Sequence, residues 1–360
     1  MRFIFFTKTN WVEPPRLRHQ LAHLLADAGH EVIFFEQPTY PFTRSICGDS
    51  GHPRICLYRY REGLHHKLRL HPSLHYVNAV FVKAQISRVA DNLKLNDRDV
   101  IVNFNYEYFF LKELFPKQRL ITIINDDFWS TAIAGYEKPL RWALGKTCQV
   151  SDVVLTVSPL LKEQLKAYCN AELFYPWADL LYQAPLDVEG RTALLYWGYI
   201  GDRIDYEYLA KLSLLIARKR LSIRIIFIGP ITKGNQYMHR LIQNHVVEYF
   251  PEGKLETINL NQVCGALIPY RSSVKSIDAI TIPNKAFQLL SRGLPLLITG
   301  MPHFFVSKVV YRLNQGDDAD YETIKYVRDN FQAIQDSIRE ILSVHSADHR
   351  LEQFMQKVVG

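Results

Sequence analysis

No apolar run in this 360-residue chain approaches the roughly 20 residues a helix needs to cross a bilayer, which argues against a helical membrane protein. The opening Phe3-Ile4-Phe5-Phe6 run is too short for a signal peptide and reads as a first strand. Cysteine is scarce: Cys47, Cys56, Cys148, Cys169 and Cys264 are odd in number, scattered and without metal-ligand spacing. They read as reduced, mostly buried thiols of a cytoplasmic protein, and no zinc site is expected. No Gly-x-Gly-x-x-Gly follows the first strand, where Thr7-Lys8-Thr9-Asn10-Trp11 stands instead, so a dinucleotide-binding dehydrogenase is disfavoured. No Asp-x-Asp closes an early strand. Asp317-Asp318-Ala319-Asp320 sits in a late polar stretch and reads as a turn and helix cap, so no required metal is expected.

What is present is an α/β rhythm. Apolar runs at 2–7, 31–36, 100–105, 120–125 and 153–157 alternate with an amphipathic helix over 16–28, stopped by Gly29, and with a helix opened by Ser158-Pro159. Such alternation implies parallel βαβ units in both halves. The length exceeds what one core sustains, so two domains are expected. Residues 1–180 form the first, joined by a carboxy-terminal helix of about 345–360. Residues 191–344 form the second. The aperiodic, Pro- and Gly-containing stretch around 181–190 is the expected linker.

In the second half a continuous strand ends at Gly198, and a turn containing Gly201 and Arg203 leads to a helix near Asp205. Ser222–Pro230 is another buried strand, ended by Gly229, and Ala266–Arg271 another that closes on Pro269-Tyr270. Residues 283–300 predict a loop with a fixed lysine, a two-turn helix over 285–292, a stop at Gly293 and a buried strand after Pro295. The helix start directs free N–H groups and a positive dipole end outward, and Lys285 adds a full charge; such a terminus suits a diphosphate.

The ordered set Tyr196–Leu209, Ile226–Pro230, Ile268–Tyr270 and Pro283-Asn-Lys-x-Phe-Gln-x-Leu-x-x-Gly-x-Pro295 resembles the nucleotide-sugar half of GT-B glycosyltransferases, of the family-4-like kind that builds bacterial surface polysaccharides. Trp11, Arg16–Ala22 and Gly29–Glu36 are similar to the opening of the same group. The resemblance implies two Rossmann-like parallel-sheet domains facing across a cleft, with the last helix crossing back to the first domain. It implies a donor site of Gly198, Gly201, Arg203, Pro269, Tyr270, Asn284, Lys285 and Gln288. Arg203 and Lys285 would neutralise the diphosphate. Gln288 stands where the family places Glu, and an amide lacks the charge that strengthens bonds to ribose hydroxyls.

For the acceptor side the resemblance points to Trp11, Arg16, Arg18, Asn105 and Tyr106, with Arg16 and Arg18 meeting an acceptor diphosphate or simply solvated. The adjacent carboxylates Asp126 and Asp127, at a strand tip before Trp129, are the catalytic candidates; one would act as base if configuration inverts, or only orient groups if it is retained. A turn pair is the plainer reading. Lys8 and Asn10 lie in a loop that could close over the donor.

Between His52 and Ala90 stand Arg54, Arg59, Arg61, Lys67, Arg69, Lys83 and Arg88 against Glu62 alone, in a chain whose formal charge is +7. A solvated face and attraction to an anionic membrane both fit. Nucleic acid is not expected, since no RNP, KH or zinc pattern accompanies the basic residues. The expected function is transfer of a hexose from a nucleoside-diphosphate sugar to a lipid-linked or saccharide acceptor, by a cytoplasmic or peripherally membrane-bound protein. The alternative is a GT-B-shaped binding or adaptor protein without turnover.

Overall fold

The computed structural model describes residues 1–13, 16–40, 49–65, 68–127, 129, 136–178, 190–219, 222–251, 253, 258–274, 277 and 280–359. The chain divides into two compact units. Unit 1 comprises Met1–Tyr175 with Arg350–Gly360, and unit 2 comprises Pro176–His349. The predicted linker falls almost wholly outside the described residues.

Unit 1 is a seven-stranded parallel sheet in the order β3-β2-β1-β4-β5-β6-β7. Its strands are β1 (Arg2–Phe6), β2 (Glu31–Phe35), β3 (Ile55–Tyr58), β4 (Val100–Asn103), β5 (Arg119–Ile124), β6 (Val153–Thr156) and β7 (Glu172–Leu173). Its helices are α1 (Leu17–Asp27), α2 (Pro72–Leu93), α3 (Leu111–Leu114), α4 (Glu137–Val150) and α5 (Pro159–Leu165). The central strands are apolar on both faces, as parallel strands covered by helices must be. Phe6 stacks on Phe35 at 4.7 Å and Phe5 on Phe34 at 5.9 Å. From α2, Ala79, Val82 and Ile86 pack with Ile4 and Phe6 in one buried cluster. Ser158 caps α5 by accepting from Leu161 N–H, as its sequence predicts.

Unit 2 is a six-stranded parallel sheet in the order β10-β9-β8-β11-β12-β13. It contains β8 (Ala193–Trp197), β9 (Arg224–Ile228), β10 (Val247–Phe250), β11 (Val263–Pro269), β12 (Leu296–Thr299) and β13 (Val310–Arg312). Its helices are α6 (Tyr206–Arg218), α7 (Gln236–Leu241), α8 (Asn284–Ser291), α9 (Asp318–Asp329) and α10 (Phe331–Val344). Gly293 follows α8 with φ 72°, the left-handed stop predicted there. Asp317 caps α9 by accepting from Ala319 and Asp320 N–H groups, so this acidic cluster is the cap its sequence suggests.

The last helix, α11 (Ala347–Val359), returns the chain to unit 1. Phe354 packs at 6.1 Å from Phe3 and 5.8 Å from Phe174, and Lys357 pairs with Glu172 at 2.6 Å. Two parallel-sheet α/β domains with a returning terminal helix are what the sequence resemblance implies.

Candidate functional site

In a parallel sheet all carboxyl ends lie on one edge, and unit 2 gathers its predicted donor residues there. β8 ends at Gly198, whose φ of 128° favours glycine. Its N–H donates to Ile228 O at 2.9 Å, and its carbonyl oxygen lies 2.1 Å from where a Cβ on Gly229 would stand. Two glycines are thus required for these neighbouring strand ends to meet backbone to backbone. The Lys285 ammonium comes to 3.8 Å from the Cβ position of Gly198. It is held over the Tyr196 ring at 4.1 Å and the Tyr270 ring at 4.9 Å. Aromatic faces fix a cation without neutralising it, so the charge remains for a ligand.

The other donor candidates frame this corner. Asp205 N–H donates to Pro269 O at 2.8 Å and Arg271 N–H to Arg203 O at 2.9 Å, tying the β8–α6 turn to the end of β11. The Arg203 side chain is exposed, and its charge reaches the Tyr196 hydroxyl. That hydroxyl donates to Tyr199 O at 2.6 Å; burial, then the neighbouring Tyr270, pushes its pKa well up, so it stays neutral. Asn284 and Lys285 form the first turn of α8, which carries no acidic side chain. Gln288 is half-buried one turn further on. Gly201 faces elsewhere: a Cβ there would meet Thr232 Oγ1 at 2.8 Å and the Tyr199 ring. It is Gly198, rather than Gly201, that meets the lysine. Tyr270 is a donor candidate of the sequence, whereas Tyr196, which completes the seat for Lys285, was not singled out there.

The carboxyl edge of unit 1 collects the remaining candidates. Asp126 is exposed beyond β5 and its Oδ1 accepts the Asp127 N–H at 2.9 Å, while Asp127 is buried. The pair is therefore a turn with two unlike carboxylates. Asn105 is fully enclosed; its Oδ1 accepts from Glu107 N–H at 3.1 Å. The Tyr106 ring lies under the Lys8 ammonium at 4.0 Å. Trp11 donates its indole N–H to Ser50 O at 3.2 Å and packs at 4.9 Å from Phe34, so this side chain holds the β1–α1 loop in place. Arg16 is half-exposed and paired with Glu13 at 3.0 Å, whereas Arg18 is buried.

Behind this edge lies a buried ionic network that the sequence reading missed. Glu107 pairs with Lys8, lies 3.1 Å from Arg69, faces His75 at 3.4 Å and accepts from the Tyr136 hydroxyl at 2.9 Å. Arg69 also pairs with Glu62, which accepts from the Tyr108 hydroxyl at 3.1 Å. Burial opposes the charge on Glu107, but Lys8 and then Arg69 outweigh it and hold its carboxyl well below the usual range. Burial pushes the His75 pKa down. Two cations and two carboxylates balance here, with Arg69, Glu62 and Glu107 buried and Lys8 partly accessible. Lys8 is therefore committed to structure, and Arg69 and His75 leave the basic surface to which their neighbours in sequence assigned them. Arg59 pairs with Glu36 and Lys83 with Glu113, so part of the excess charge of this segment is met by acids from elsewhere. The signal was available only in part, as Glu107 following Asn105-Tyr106 at a strand tip. Among the described residues no group of three or more His, Cys, Asp or Glu could hold a metal ion.

No family model matches the chain, and no curated protein is similar to it in sequence. Its fold is that of GT-B glycosyltransferases of known structure. Sucrose-phosphate synthase from Thermosynechococcus elongatus matches with a TM-score of 0.69 over 99% of this chain and 97% of that one, at 11% identity. The UDP-forming α,α-trehalose-phosphate synthase of Burkholderia vietnamiensis matches at 0.66 over 99% and 98%, at 10% identity. Anabaena HepE, solved with UDP and glucose, matches at 0.64 over 100% and 99%, at 12% identity.

Proposed function

We propose that the chain is a glycosyltransferase that moves a hexose from a UDP-linked donor to a lipid-linked or saccharide acceptor in cell-surface polysaccharide synthesis. The observation that carries this reading is the Lys285 ammonium set between two tyrosine rings beside Gly198. The UDP named for two of the structural neighbours supports a uridine donor.

In this reading the acceptor hydroxyl oxygen bonds to the anomeric carbon as the donor's C–O bond to the diphosphate breaks. The electron pair passes to the diphosphate oxygen, and the hydroxyl proton to a carboxylate where configuration inverts or to the departing diphosphate where it is retained. Lys285, Arg203 and the free N–H groups opening α8 meet the charge that develops there, which is the kind of fixed electrostatic stabilisation that lowers such barriers most. The charge is met by side chains and amides, so no metal is required. Asp126 and Asp127 serve the acceptor hydroxyl: as base where the reaction inverts, as orienting groups where it retains. The second reading, a sugar-nucleotide-binding protein without turnover, is favoured by Gln288, the neutral residue where the resemblance expects a carboxylate. Mixing the protein with UDP-glucose or UDP-galactose and membrane extract separates the two: release of UDP supports transfer, and binding without release supports the second.

The acceptor side includes attraction to an anionic membrane. Helix α2 leaves Tyr76, Val77, Val80 and Phe81 exposed along one face, continuous in sequence with exposed Leu68 and Leu70, and Arg61 and Arg88 stand exposed nearby. An apolar stripe with basic flanks suits the headgroup region of a bilayer. Co-sedimentation with anionic vesicles at low salt is the check; indifference to them ends this part of the reading. No helix among the described residues is long and apolar enough to cross a membrane.

A further inference from the structure

We propose that the groove between α6 and α7 of unit 2 is a second binding site, for an uncharged saccharide chain. The groove has a volume of about 790 Å³, within the roughly 300–1,000 Å³ of small-molecule sites. Tyr206 and Leu214 line it from α6, Tyr237 and Arg240 from α7, and Arg271 from the chain just past β11. A smaller hollow of about 330 Å³ continues it along Thr232–Gln236. Gly198, Tyr196, Tyr270 and Lys285 line neither part, so this surface is not the diphosphate corner.

The first observation is apolar surface left open on two helices at once. Leu214 and Tyr237 are each 66% exposed, and both stand against this groove. Tyr237 lies nearly parallel to Tyr206, with 5.7 Å between ring centroids and 18° between planes. Rings at that separation already touch, so no flat base enters between them and a ligand lies across the pair. The Tyr206 ring is held in place: its hydroxyl donates to Gly201 O at 3.2 Å and accepts from Asn235 Nδ2 at 2.5 Å.

The second observation is charge. Arg240 and Arg271 are matched in number by Asp205 and Glu207 along the groove, and Lys233 by Asp202 in the hollow. A polyanion such as a nucleotide finds no net attraction in such a lining. These groups are not spent on one another: Glu207 pairs with Lys211 at 3.0 Å, Asp205 accepts the Tyr208 N–H at 2.9 Å, and Arg271 reaches Asp202 O at 3.5 Å. Forked donors and paired acceptors therefore stand along the groove, and the adjacent hydroxyls of a sugar ring complement both. The C–H face of a pyranose is the apolar surface that the tyrosine rings cover. A peptide helix would ask for a continuous apolar floor, which the arginines and carboxylates interrupt.

The test is ligand-observed NMR titration of the full chain with maltotetraose, cellotetraose and chitotetraose, three neutral chains of different linkage and substitution. At least one should bind with a dissociation constant of about 1 mM or tighter. Tyr237→Ala and Arg240→Gln alter exposed side chains, so both should unfold at the wild-type temperature, and each should weaken that binding by roughly tenfold. UDP should neither displace the saccharide nor lose more than about twofold in affinity for either variant. No binding of any of the three at about 10 mM overturns the site. Binding that survives both substitutions places the saccharide elsewhere and overturns it as well, and displacement by UDP makes the groove part of the nucleotide site and does the same. The groove does not rest on the transferase reading: a protein that ignores UDP but binds the saccharide through Tyr237 and Arg240 would sink that reading and leave this site standing.

Discussion

The ammonium of Lys285 and the backbone of Gly198 meet at the carboxyl edge of unit 2, with 3.8 Å between the nitrogen and the point where a Cβ would stand. Residues 87 positions apart are brought together because β8 and β11 are adjacent in the sheet and α8 begins beside the end of β11. The arrangement leaves a positive charge, a side-chain-free backbone and a helix start at one place, and each prediction below tests one consequence of it or of its counterpart in unit 1.

The glycine corner tolerates no side chain. Gly229→Ala would bring a Cβ against the Gly198 carbonyl oxygen at a φ of 142°. We expect a loss of about 2 kcal/mol or more in the unfolding of unit 2, typical of strain at such a backbone, together with a roughly tenfold weaker grip on UDP. Urea unfolding and calorimetric titration read the two effects.

The two carboxylates of unit 1 should separate binding from chemistry. Asp126→Asn and Asp127→Asn are expected to leave UDP affinity within about twofold and to lower transfer by roughly 100-fold for whichever residue serves the acceptor hydroxyl, the usual worth of a positioned acid or base. Steady-state transfer measured beside UDP titration distinguishes this from a general loss of fold.

Glu107→Gln should be among the most destabilising single changes in unit 1. It leaves buried Arg69 and half-buried Lys8 without their shared carboxylate, and breaking one partner of such a network costs about 3–5 kcal/mol. A change of the same size at Glu113, whose pair with Lys83 is solvent-exposed, should cost under about 1 kcal/mol. Paired urea curves for the two variants make the comparison.

Acid sensitivity should begin near pH 6.5. Burial, and then the nearby Arg18 and Arg16 charges, lowers the His19 pKa from 6.5 to about 4. The unfolded chain takes up that proton first, so the stabilisation is complete above about pH 6.5 and fades between 6.5 and 4, by on the order of 2 kcal/mol. Burial shifts His23, His30 and His75 in the same direction. Glu107 does not contribute in this window, since its depressed pKa keeps its stabilisation until much lower pH. His19→Gln should flatten the pH dependence of the unfolding midpoint measured across this range.

Much of the fold was legible because parallel strands covered on both faces are continuous apolar runs, and Phe3–Phe6, Val32–Phe35 and Val100–Val102 are of that kind. Gly293 and Ser158 announced helix boundaries through backbone geometry that few other residues satisfy. The stretch 52–90 was opaque. Its basic residues suggested a single charged surface, but α2 carries buried Ala79, Val82 and Ile86 on one face, and Arg69 and His75 turn inward to acids distant in sequence. Ion pairing over such separations leaves no local pattern. At the candidate site, Lys285 and Gly198 stand together in the fold while Gly201 faces Thr232 and Tyr199, and Trp11 reads as a binding residue in sequence and serves as a loop anchor in the fold.

The account turns on whether Lys285 grips a diphosphate, and calorimetric titration of wild type and Lys285→Gln with UDP and with uridine tests this most directly. Lys285→Gln should lose at least tenfold in UDP affinity, about 1.4 kcal/mol, while uridine, which has no phosphate, binds both proteins alike. Equal UDP affinity for the two proteins, or an equal loss for uridine, would contradict it.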